Sequence, residues 1–174
     1  FDGIFGAIGF ESEFGVVDSN FEAAGTQDSR TYGAYANFWY ASGPVKAGIL
    51  GAFGSYDDDA NAAHSFGADF DGGGKDFNDD GRAMIMGYDS GFNGTNNLAA
   101  GRLAALYADY SVSDKLDIGG YAGFAKCGVD DGGQWDGAKV WEVSAKAKYN
   151  ITDNLAYDLG AGVAQLKYGG STAD

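Results

Sequence analysis

Hydrophobic residues fall on every second position over much of this chain. Trp141, Val143, Ala145, Ala147, Tyr149 and Ile151 share one parity, and Glu142, Ser144, Lys146, Lys148 and Asn150 share the other. After a short polar turn, Leu155, Tyr157, Leu159, Ala161 and Val163 alternate with Ala156, Asp158, Gly160, Gly162 and Ala164. The stretch 104–124 behaves alike: Ala104, Leu106, Ala108, Tyr110, Val112, Leu116, Ile118, Gly120, Ala122 and Phe124 oppose Tyr107, Asp109, Ser111, Asp117, Gly119, Tyr121 and Gly123. A period of two sends each set to one side of an extended strand. A third hairpin runs over 31–56, where Tyr32, Ala34, Ala36, Phe38 and Tyr40 precede the turn at Ser42-Gly43-Pro44 and Val45, Ala47, Ile49 and Phe53 follow it. Near the start, Ile4, Ile8 and Phe10 oppose Glu11 and Glu13, which predicts one strand of about 12 residues. The predicted strands are 1–14, 31–42, 44–56, 102–112, 115–126, 138–150 and 154–168, in a single domain spanning 1–174.

Two of these hairpins are near-copies. Tyr110 aligns with Tyr149, Val112 with Ile151, Ser113 with Thr152, Asp114 with Asp153, Leu116 with Leu155 and Gly123 with Gly162, at a constant offset of 39. Alternation alone also fits a water-soluble antiparallel sheet with one buried face. The second face argues otherwise, because it carries Gly, Ala, Ser and charge rather than uniformly solvated Lys, Glu and Thr. No stretch shows helical periodicity, and no run approaches the ~18 apolar residues of a membrane helix. A chain of this kind crosses a bilayer only as a closed barrel, in which every strand edge is paired. The expected fold is all-β, an antiparallel up-and-down transmembrane β-barrel. Seven strands cannot close such a barrel, so the expectation is an incomplete part of a larger one.

Composition and aromatic placement agree with that class. There are 30 Gly and 11 Tyr but one Pro and one Cys, and the net charge is −14. Tyr110, Tyr149, Phe38 and Tyr40 lie on the apolar face just before the tight turns, while Trp141 and Phe124 lie near the opposite ends of their strands. Rings at both margins of an apolar band suit a membrane interface, although cross-strand aromatic packing uses the same residues. The connections at 42–44, 112–115 and 151–154 are tight, whereas those at 15–30, 57–101 and 127–137 are long and rich in Gly, Asn and Asp. In outer-membrane barrels short turns are periplasmic and long loops extracellular. Within 57–101 the run Arg82–Tyr88 has strand character, yet an extra spanning segment would break the topology. Loop 57–101 therefore folds inward to narrow a lumen, meets a neighbouring subunit, or forms two short strands above the membrane.

The repeated Tyr-x-[Val/Ile]-[Ser/Thr]-Asp-x-Leu turn between Gly/Ala-rich strands resembles Gram-negative outer-membrane porins, over residues 31–56 and 102–168. The resemblance implies a water-filled channel in the bacterial outer membrane, the C-terminal part of a large trimeric barrel, that passes small hydrophilic solutes or ions and is not an enzyme. Its partners would be outer-membrane lipid, the solutes and further copies of the chain. The alternative is a structural, adhesive or complex-sheathing barrel without an open pore, since an eight-stranded barrel leaves too narrow a lumen.

Channel chemistry would lie on the inward face. Asp109, Asp117, Glu142, Lys146, Lys148 and Asp158 are the pore-lining candidates, because opposed charges across a lumen orient polar solutes. Lys146 and Lys148 either pair with Asp109 or Asp158 on adjacent strands or form an anion-attracting strip. Asp76, Asn78 and Asp80 match the opening of a calcium loop, but the closing Glu falls on Gly87, and a solvated acidic loop accounts for the same residues. No other cofactor is indicated. His64 has no nucleophile context, Cys127 is the single cysteine and so forms no internal disulfide, and no basic run indicates nucleic acid.

Overall fold

The computed structural model describes residues 2–19, 28–57, 62–63, 83, 101–128 and 136–169. Ten strands are present among the described residues: β1 (Asp2–Phe5), β2 (Ile8–Ser19), β3 (Ser29–Ser42), β4 (Val45–Gly54), β5 (Tyr56–Asp57), β6 (Ala62–Ala63), β7 (Gly101–Ser113), β8 (Leu116–Cys127), β9 (Lys139–Thr152) and β10 (Leu155–Lys167). Eight of them form one antiparallel sheet in the order β1-β2-β3-β4-β7-β8-β9-β10, and β5 with β6 makes a separate two-stranded ribbon. The sheet is up-and-down and is not closed into a barrel, so β1 and β10 are its edges. No helix among the described residues is long and apolar enough to cross a membrane, which says nothing of strands.

The predicted first strand divides in two. Gly6 adopts φ +65°, a left-handed conformation that glycine reaches without steric cost, and the chain reverses there. Phe5 then pairs with Ile8 and Ile4 with Gly9. The reversal moves Ile4 to the face opposite Ile8, although both have the same parity. Eight strands therefore stand where seven were expected. The ribbon β5–β6 occupies the start of the predicted loop 57–101.

The four tight turns among the described residues lie at one rim of the sheet, and the strand ends that lead into the long connections lie at the other. Neighbouring turns are stitched together by backbone hydrogen bonds: Ala41 N donates to Ala7 O, Ser111 N to Pro44 O, and Asn150 N to Lys115 O. The repeated Ser/Thr has a local job. Ser113 Oγ accepts from Lys115 N at 3.3 Å and Leu116 N at 3.2 Å, and Thr152 Oγ1 accepts from Asn154 N at 3.4 Å. These are side-chain-closed turns of the kind Ser and Thr favour.

The two faces differ sharply. On the outward face, aliphatic and aromatic residues stand in solvent along every long strand: Phe14, Ile49, Leu106, Val143 and Leu159 are 69%, 53%, 60%, 51% and 61% exposed. On the inward face, Tyr35, Leu50, Leu103, Ala105, Tyr107, Tyr121, Ala125 and Val140 are buried, with Trp39, Ala164 and Leu166 packed against them. The core is thus the inward face, concentrated towards the long-connection rim. Ala83, from the long 58–100 connection, is fully buried within this same cluster.

Candidate functional site

The inward glycines are beds for large side chains. A Cβ on Gly9 would lie 2.0 Å from Trp39, one on Gly48 would lie 2.5 Å from the Tyr107 ring and hydroxyl, and one on Gly123 would lie 2.3 Å from the Tyr121 hydroxyl. Each ring therefore lies flat across a glycine instead of standing up from the sheet. That is how three bulky aromatics fit on the inward face.

A polar network threads the packed region. Glu11 Oε1 accepts from Tyr35 Oη at 2.7 Å and from Asn37 Nδ2 at 3.1 Å, and Asn37 Oδ1 accepts from Tyr107 Oη at 3.0 Å. The hydroxyl of Tyr121 is buried and makes no hydrogen bond among the described residues. Buried polar groups are tolerable when bonded, and the chain from Glu11 to Tyr107 meets that condition. Glu11 and Glu142 occupy the same cross-strand row, which runs Glu11, Asn37, Leu50, Ala105, Gly123, Glu142.

Charged residues gather nearer the turn rim. Register places Lys46 opposite Asp109, with Gly119 and Lys146 next along the row. One pleat closer to the turns, Asp117, Lys148 and Asp158 stand side by side. Asp109 and Lys146 converge over Gly119, where a Cβ would lie 2.5 Å from Asp109 Oδ1 and 3.2 Å from Lys146 Cε. Asp117 Oδ1 accepts from Ser111 Oγ at 2.6 Å, and Lys46 Nζ sits 4.8 Å from the centre of the Trp39 ring, within cation–π range. The arrangement is a ladder of alternating sign with three lysines and three aspartates, so it carries no net charge.

All six pore-lining candidates lie on the inward face, but only five meet. Asp109, Asp117, Lys146, Lys148 and Asp158 line one cavity of about 270 Å³ with Ile118 and Gly119. Glu142 sits deeper and is fully buried, away from that cavity. Parity places a side chain on a face; burial depends on how far along the strand it lies. Lys46 and Glu11 join these arrangements through their strand partners, a relation that adjacent sequence does not reveal.

The calcium-loop candidates Asp76, Asn78 and Asp80 lie outside the described residues, as does His64. Among the described residues no cluster of three His, Cys, Asp or Glu is placed to hold a metal. Cys127 is a buried thiol without a disulfide, and its backbone N–H donates to Ala138 O. No family model, no curated protein and no solved structure matches this chain.

Proposed function

We propose that this chain is the wall of an outer-membrane β-barrel whose outward face meets lipid and whose interior is filled, giving it a structural, adhesive or complex-sheathing role. The observation that carries this reading is the contrast between the faces. Large apolar side chains stand exposed on the outward face of every long strand, whereas a water-soluble monomer rarely shows an apolar patch beyond a few hundred Å². Aromatic rings border the apolar band: Tyr40, Tyr110, Tyr149 and Tyr157 at the turn rim, Phe124 and Trp141 towards the other. That is the girdle pattern of membrane strands.

The inward face supports occlusion. Tyr35, Asn37, Leu50, Tyr107, Tyr121, Val140 and Glu142 are all buried, and Ala83 from the long connection joins them. A barrel closed from eight strands would enclose a space that side chains alone can fill. In lipid, the edges of β1 and β10 need pairing; β1 runs towards the turn rim and β10 away from it, so the two are antiparallel in direction.

A second reading has an observation of its own. The charged cavity at the turn rim suits an entrance for small hydrophilic solutes, as in a porin-like, trimeric diffusion channel. Planar-bilayer recording separates the two. Protein shown to be folded and inserted should give no steady conductance steps if the interior is filled, and ohmic steps would establish the channel instead.

A further inference from the structure

Four cations far apart in sequence meet in one row of the outward face. Register pairs Arg102 with Lys126, Lys126 with Lys139, and Lys139 with Lys167. All four side chains are exposed, and they are four of the eleven basic residues in a chain of net charge −14. Like charges directly opposite one another destabilise a sheet, and the inward face avoids this by alternating its lysines and aspartates. The outward row does not alternate. Its next members are Phe53 and Ala34, both neutral, and none of the four cations forms an ion pair among the described residues.

The row also has a defined height on the sheet. One pleat nearer the turns lies the row Ala104, Phe124, Trp141 and Gln165, where Trp141 Nε1 donates to Gln165 Oε1 at 2.9 Å. The four cations therefore sit just beyond the aromatic margin of the apolar band, at the long-connection rim. Four strands at ordinary spacing make a strip roughly 15 Å long. Aliphatic stems can lie along the apolar surface while the charged ends reach the interface.

We propose that this row binds the phosphate-bearing headgroups of an anionic lipid in the leaflet at the long-connection rim, a site that rests on the lipid-facing reading of the outward face. Arg102 offers a planar fork to phosphate oxygens, and the three lysines supply point charges. Interfacial cations of this kind attract anionic headgroups strongly enough to bias lipid occupancy. An anion in the row also removes the repulsion that the register imposes.

The test uses the whole chain in phosphatidylcholine vesicles and in the same vesicles containing phosphatidic acid. Insertion is read by protease protection, and lipid preference by quenching of tryptophan emission with brominated phosphatidic acid against brominated phosphatidylcholine. The expected result is a preference for phosphatidic acid of about tenfold, weakening as salt is raised and lost in the R102Q/K126Q/K139Q/K167Q variant. K115Q, at the opposite rim, should keep it. Insertion without any lipid preference, or a preference that survives the fourfold substitution, overturns the site while leaving the lipid-facing reading intact. Failure to insert in either vesicle overturns both. Inorganic phosphate held by the detergent-solubilised chain as tightly as phosphatidic acid in vesicles would reassign the row to a soluble anion.

Discussion

Replacing Gly48 by alanine tests how the inward face is packed. The added methyl would lie 2.5 Å from the Tyr107 ring and hydroxyl and 2.7 Å from the backbone oxygen of Phe38. The Phe38 carbonyl belongs to the sheet ladder and cannot swing aside, so Tyr107 must lift. Overpacking of this kind costs about 1–3 kcal/mol. Lifting Tyr107 also breaks its 3.0 Å hydrogen bond to Asn37 Oδ1 and leaves a buried acceptor unpaired, worth about 1–2 kcal/mol. The expected loss is about 3 kcal/mol. Gly51→Ala is the matched control, because its Cβ would meet nothing nearer than Leu103 O at 3.8 Å, and it should change stability by less than about 0.5 kcal/mol. The assay is equilibrium urea unfolding of the folded protein in detergent or vesicles, followed by tryptophan emission. With Tyr107→Ala already in place, the Gly48→Ala penalty should fall by about 1–2 kcal/mol. Equal effects of Gly48→Ala and Gly51→Ala, or strict additivity with Tyr107→Ala, would refute the flat-ring packing.

Other expectations follow from the same geometry. Glu11→Ala removes the acceptor shared by Tyr35 and Asn37, and unfolding should show a loss of about 2–3 kcal/mol. Leu106→Lys, in the middle of the outward face, should disfavour vesicle insertion by about 2–4 kcal/mol, measured as the inserted fraction against urea. Lys148→Glu would line up three carboxylates with Asp117 and Asp158. Because the site is exposed, the cost should stay below about 1 kcal/mol and disappear at high salt, which a salt series of unfolding curves would reveal.

The elements most legible in the sequence were β7 to β10. Their alternation is uninterrupted, and the Ser113 and Thr152 turns announce themselves through side chains that close them. The first strand misled because Ile4, Ile8 and Phe10 keep one parity while the turn at Gly6 reverses the chain between them; parity counts residues and cannot register a change of direction. The same limit explains Glu142, whose face was legible and whose burial was not. The charge ladder and the basic row depend on register between strands. Arg102 and Lys167 are distant in sequence, so only pairing through β8 and β9 brings them into one row. The packing role of the inward glycines was hidden for a related reason: a glycine shows a missing side chain, and only the packed structure shows which ring fills the space, a cross-strand one over Gly9 and Gly48 and one from the same strand over Gly123.

The central claim is that alternate residues of the long strands face lipid and a filled interior. It is tested most directly by spin labels placed singly at positions 104 to 108 of β7 in vesicle-inserted protein, with Cys127 replaced by serine. Labels at 104, 106 and 108 should collide readily with oxygen dissolved in the bilayer and hardly at all with a water-soluble relaxation agent, while labels at 105 and 107 should be immobile and shielded from both. A water-soluble agent that reaches positions 104, 106 and 108 freely would contradict the lipid-facing reading, and one that reaches 105 and 107 would contradict the filled interior.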